Sequence, residues 1–239
     1  MSLLTIIQNH CKLNALNVPT AVIGSTDSGI IQLQAVLEEV LAEIVTESKF
    51  NVTTVETVFA AIAAEDQGAM ATLSPSGYQW MIFETFYDRT NRRPLIGPMN
   101  EQEWQALKAL PTAGILYRFR IKGDRLLLNP APTVGSLPTL AYEYMSSWCI
   151  KSSTGTLKSA LTADNDVFVF PENILQKGVM FRWKQLKGLP YQADETRYWT
   201  LLNQYITTDK VKRRINVADG APVDLSPGIF VPSNSWNVH

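Results

Sequence analysis

The stretch SGIIQLQAVLEEVLAEIVTES, residues 28–48, constrains the fold more than any other part of the chain. Ile30, Leu33, Leu37, Val40, Leu41 and Ile44 recur three and four residues apart, the period of one helix face. Glu38, Glu39, Glu43 and Glu47 mark the polar side of the same helix. Ser25, Thr26 or Asp27 supplies the cap at its start. A helix with so broad an apolar stripe is not stable alone and needs partner surfaces. One is near: residues 1–13 predict a short helix whose apolar face carries Leu3, Leu4, Ile6, Ile7 and Leu13. The others come only far along the chain. PENILQKGVMFRWKQLKG predicts a helix over 171–187, with Ile174, Leu175, Val179, Trp183 and Leu186 on one face. YQADETRYWTLLNQYITTDK predicts another over 190–208, carrying Tyr191, Tyr198, Leu201, Leu202 and Tyr205.

Between these helices the period changes. NVTTVETVFAAIAA is rich in β-branched residues and suits a strand. FETFYDRTNRRPLIGPM reads as strand, turn and second extended piece. NEQEWQALKAL is a short helix with Asn100 as cap and Glu103 at its third position. YRFRIKGDRLLLNPAP is the clearest hairpin, turning at Gly123-Asp124. Arg118, Arg120 and Lys122 fall on one face of its first strand, with Tyr117, Phe119 and Ile121 opposite. TLAYEYMSSWCIKSS predicts a further alternating strand. The expected class is therefore α+β: a helical bundle from 1–50 and 171–210, a β-rich insert at 51–170, and an extended arm at 211–239.

The arm, VKRRINVADGAPVDLSPGIFVPSNSWNVH, has no helical or strand period. Pro222, Pro227 and Pro232 bar it from a central strand or from continuing the preceding helix. Ile229, Phe230, Val231 and Trp236 are too apolar for a solvated tail, so they need a surface. That surface belongs either to a partner or to the chain's own domain. Lys210, Lys212, Arg213 and Arg214 form a basic run at the root.

With 46% hydrophobic and 18% charged residues in 239, the chain can bury a sizeable core. No run of about 18 apolar residues predicts a membrane span, and the N-terminus lacks the features of a signal peptide. Two distant cysteines, Cys11 and Cys149, are expected to be reduced and buried in an intracellular setting. Net charge is −1, unevenly spread. Residues 1–83 carry two lysines against eight acidic groups, and the excess of bases lies after them. This split suits like subunits meeting side by side, although chance gives such splits too. It lacks the basic excess of a nucleic-acid reader.

Chemistry is sparse in the sequence. His10 and His239 form no ligand cluster with either cysteine, so no metal site is expected. No G-x-S-x-G stands near a histidine base. GSTDSG at 24–29 lacks the Gly-Lys-Ser/Thr ending of a phosphate loop and reads as a helix cap. The glutamates at 38–47 could supply a carboxylate pair for glycoside hydrolysis, as most solvated helices could. The arginines of YDRTNRRP and the hairpin could grip phosphate, form inter-subunit salt bridges, or be solvated. No catalytic residue and no cofactor are expected.

SLLTIIQNHCKLNAL, YDRTNRRPLIGPMNEQEWQALKAL, YRFRIKGDRLLLNPAP and FPENILQKGVMFRWKQLKGLPY resemble the head-to-tail adaptors of short-tailed bacteriophages, of the tail-tubular or tail-accessory class. The likeness spans roughly residues 1–205. It implies a structural virion protein, not an enzyme, that forms a homo-oligomeric ring, commonly twelve-fold, between the portal protein and the tail nozzle. DNA would pass through the central channel without sequence-specific binding. The protein would sit at the head-tail junction, and in the host cytoplasm during assembly, with no membrane contact. On this resemblance Lys212, Arg213, Arg214, Ile229, Phe230, Val231 and Trp236 dock on the portal. In such a ring Arg118, Arg120 and Lys122 are expected to meet a neighbour or the nozzle, and Glu38, Glu39, Glu43 and Glu47 to be solvated or to line the channel. The alternatives are a peptidoglycan-cleaving virion enzyme or another tail-completion protein.

Overall fold

The computed structural model describes residues 2–47, 49–109 and 116–209, in an α+β fold. The expected arm and its site residues lie outside them. Helix α1, Leu3–Leu13, is capped by Ser2, whose hydroxyl accepts from the Thr5 N–H. Helix α2, Ser28–Glu47, starts from Asp27, whose carboxylate accepts from the Gly29 N–H at 2.7 Å. The six apolar positions predicted for its inner face are all buried, joined by Val36 and Val45.

The chain then enters a β-rich region. Strand β1, Thr54–Ala60, and β2, Asp66–Ala69, precede a single helical turn, α3, Met70–Leu73. Strand β3, Tyr78–Asp88, turns back into the short β4, Arg93–Pro94. Helix α4, Glu101–Ala109, carries the predicted capping box. The Asn100 side chain accepts from the Glu103 N–H at 2.8 Å, and the Glu103 carboxylate accepts from the Asn100 N–H at 3.0 Å. Strands β5, Arg118–Lys122, and β6, Arg125–Asn129, make the predicted hairpin. Gly123 and Asp124 both have positive φ, 56° and 60°, as a tight two-residue turn requires. Strand β7, Thr139–Ser146, follows, then the two-residue strands β8, Ile150–Lys151, β9, Leu157–Lys158, and β10, Val167–Phe168.

Every ladder between these strands is antiparallel. One sheet has the order β1-β7-β3-β4, a second β2-β6-β5, and a third β10-β8-β9. The first two share one core, in which Phe86 meets the Phe119 ring edge-on at 4.9 Å and Tyr142 at 5.3 Å. The predicted alternation of β7 gives way here. Flanked by β1 and β3, it buries Leu140, Ala141, Tyr142, Tyr144, Met145 and Ser146 and exposes only Glu143. Strand β3 is irregular between Ile82 and Tyr87, and the Thr85 hydroxyl bridges the gap. It donates to the Ile82 carbonyl at 2.7 Å and accepts from the Glu143 N–H at 2.9 Å.

The last helices are α5, Glu172–Leu186, and α6, Gln192–Asp209. Helix α5 packs against α1, α2 and α6, and Gly178 faces both α2 and α6. A Cβ added there would lie 2.6 Å from Val40 Cγ1 and 3.1 Å from Tyr198. Helix α5 ends in a glycine cap: Gly188 has φ +68°, its N–H bonds the Gln185 carbonyl, and the Leu189 N–H bonds Lys184. Leu186, expected on the inner face, is the last residue of α5 and is exposed.

The four long helices form the other core, together with Phe50, Cys149, Ile150, Leu161 and Phe170. The apolar packing thus groups residues 149–170 with the helices, whereas the insert was expected to run to 170. Backbone bonds agree, since Leu3 and Leu4 donate to the Asp166 and Asp164 carbonyls. The Asp164 carboxylate also accepts from Val22 and Ile23. The contiguous β unit spans about residues 54–146. Among the described residues no helix is long and apolar enough to cross a membrane.

Candidate functional site

The four glutamates of α2 do not form one row. Glu38, Glu39 and Glu47 are exposed, while Glu43 turns inward toward α5. There Arg182 donates to the Glu43 carboxylate at 2.7 Å and leans over the Phe181 ring. Among the described residues the buried Tyr198 hydroxyl of α6 has no hydrogen-bond partner, nor do the other Glu43 oxygen and Arg182 Nε. These groups serve helix packing, where the sequence suggested a solvated face.

The basic row of the hairpin is divided as well. Arg118 and Lys122 are exposed, but Arg120 is buried and donates to Glu101 of α4 at 2.9 Å. Glu101, at the start of α4, reaches the middle of the strand, a contact that strand alternation alone does not reveal. Among the described residues the row therefore keeps two cations without an ion-pair partner, Arg118 and Lys122, not three.

The isolated chemical groups sit in apolar settings. Among the described residues no three His, Cys, Asp or Glu side chains gather as metal ligands. Cys11 and Cys149 are free and buried. Burial pushes the Cys149 thiol up to about 11, so it stays protonated near neutrality. His10 is buried edge-on against Trp183 at 5.1 Å, and Asn14 lies beside its Nε2. Burial, assisted by the positive charge of Lys184, lowers its pKa to about 4. The fold therefore holds the imidazole neutral, while the unfolded chain takes up a proton near the ordinary value. The resulting stability is complete above about pH 6.5 and drains away as pH falls toward about 4, by roughly 3 kcal/mol at most. Denaturation measured between these limits should show that loss. His10→Gln should flatten it, and an unchanged slope would exclude His10 as its source.

The structure also contains a groove with no counterpart among the sequence-predicted sites. It lies between the outer flank of α2 and the segment that follows β7. One part, of about 350 Å³, is lined by Leu41, Val45, Cys149, Ile150 and Leu161, with Glu38 at its border. It shares Val45, Thr46 and Gln79 with a second part of about 440 Å³, lined further by Glu47, Lys49, Trp80 and Met145. Trp80 is 45% exposed, and Lys49 Nζ sits 3.9 Å from its ring centroid. The sequence signal was faint: an exposed tryptophan in a strand, and Val45 off the main stripe of α2.

Two further apolar surfaces stand apart from the groove. Leu13, Leu16, Ile31, Leu186 and Leu189 are exposed near the α1 and α5 C-termini and the α2 N-terminus. That is the bundle end remote from the β unit. Ile62, Val134 and Leu137 are exposed around the Ala60–Thr139 end of the β1–β7 ladder, the far end of the β unit. Comparison with models of known protein families finds no match, and a search of curated proteins finds none either.

Proposed function

We propose that this protein is a structural adaptor of a short-tailed phage particle, forming a ring between the portal and the tail nozzle with a central passage for DNA. The observation that carries this reading is the pair of exposed apolar clusters, one at the far end of each core. A chain that bridges two different partners needs two unlike surfaces, and apolar patches of this kind mark protein contacts. Unlike patches also suit the head-to-tail contacts that close a ring. In this reading Arg118 and Lys122 meet a neighbouring subunit or the nozzle. The apolar residues of 211–239 dock on the portal, and the protein works without catalysis. The twelve-fold symmetry and the virion location come from the resemblance described above.

Mixing the full chain with purified portal rings tests this directly. Size-exclusion chromatography should show co-migration, and micrographs should show a second ring stacked on the portal. Phe230→Asp with Trp236→Asp should abolish co-migration while leaving the helical signal intact. Failure of the native chain to bind portal would overturn the reading. So would cell-wall lysis by the pure protein that is lost on Glu38→Gln, Glu39→Gln or Glu47→Gln.

A further inference from the structure

Among the described residues nothing covers the groove beside α2. It follows α2 from Glu38 to Glu47, about 14 Å at 1.5 Å per residue, and continues to Lys49. An extended segment of about five residues has the same length. GIFVP, residues 228–232, is an apolar run of that size, and its Val231 is biased toward an extended backbone by the proline after it. We propose that the groove is the seat of the chain's own segment 210–239, with Gly228–Pro232 lying along its apolar floor.

Three observations select this occupant. The first is position. Helix α6 ends at Asp209, whose carboxylate accepts from the Asn51 N–H and whose carbonyl accepts from the Asn51 side chain, both at 2.5 Å. The segment therefore leaves the fold two residues from Lys49, at the end of the groove marked by Trp80. The second is charge. Lys210, Lys212, Arg213 and Arg214 come first in the segment, and Glu38 and Glu47 border the groove. Neither carboxylate forms an ion pair among the described residues. The third is reach. The residues between Lys210 and Gly228 span far more than the groove, so the tether allows seating within one chain. It also gives the segment a high effective concentration there.

The inference rests on the groove and the segment, and it stands without the ring reading. Its consequence is a competition. Ile229, Phe230 and Val231 cannot fill the groove and a partner's surface together, so a partner must draw them out.

The test places the photo-crosslinking residue p-benzoylphenylalanine at position 230 of the full chain. Irradiation of a dilute solution should give adducts within single chains, mapping by mass spectrometry to Ala42, Val45, Ala160 and their neighbours. Ala42→Arg, at an exposed position on the groove wall, should lower the adduct yield about tenfold with unchanged circular dichroism. The triple change Lys212→Glu, Arg213→Glu, Arg214→Glu should lower it as well. Adducts elsewhere on the chain, no adducts, or a yield indifferent to Ala42→Arg would overturn the proposal. Adducts between two chains that grow with concentration would also overturn it, assigning the groove to a second copy.

Discussion

Leu37→Asp should abolish the helical bundle. Leu37 is fully buried in the middle of α2, in the core shared with α1, α5 and α6. The substitution loses about 2–3 kcal/mol of apolar burial. It also forces a carboxylate either to remain charged without a partner or to take up a proton at further cost. Against a total stability of roughly 5–15 kcal/mol for a domain, the combined effect is decisive. Val179→Asp on α5 should behave alike, since Val179 is equally buried. Circular dichroism should show most of the helical signal gone at room temperature. Leu37→Ala, which leaves only a cavity, should fold with stability lower by about 2–5 kcal/mol. A Leu37→Asp variant that melts like the native protein would mean that α2 presents another face to the core.

The second large effect concerns the pair between α2 and α5. Glu43→Leu leaves Arg182 largely buried without its carboxylate. Removing one partner of a fully buried pair costs roughly 3–5 kcal/mol. With 19% of the Glu43 side chain and 24% of Arg182 still exposed, about 2–4 kcal/mol is expected. Glu43→Leu combined with Arg182→Met should recover most of that loss, because the desolvation of both charges goes with them. Chemical denaturation of the two single variants and the double variant closes the cycle. Additive single effects would show that the 2.7 Å contact carries no coupling.

What the sequence revealed of this fold was what local spacing encodes. The stripe of α2, the capping box at Asn100 and Glu103, and the Gly123-Asp124 turn each depend on residues a few positions apart. Each is found in the structure as predicted. Burial set by distant elements was illegible. Strand β7 looks alternating because nothing near it in sequence tells that β1 and β3 will flank it. Arg120 looks like its neighbours Arg118 and Lys122 because Glu101, which pairs with it, belongs to a different element. Glu43 shares its helix surface with glutamates that remain exposed, and only the approach of α5 distinguishes it. The groove is the extreme case. Its walls come from residues 38–49, 79–80 and 145–161, which no single window joins.

The division into two cores also bears on how the chain can assemble. The β unit is one continuous stretch and can close as soon as β7 has been made. The helical core draws on both sides of that stretch and must wait for Leu202 in α6. Joining α2 to α5 across an unstructured loop would carry the closure entropy of the whole intervening chain. Once β1 and β7 pair, Thr54 stands opposite Met145, and the long loop becomes a short clasp. Pairing of β1 with β7 thus brings together the points where the chain enters and leaves the β unit, and a strand that fails to pair there would also separate α2 from α5.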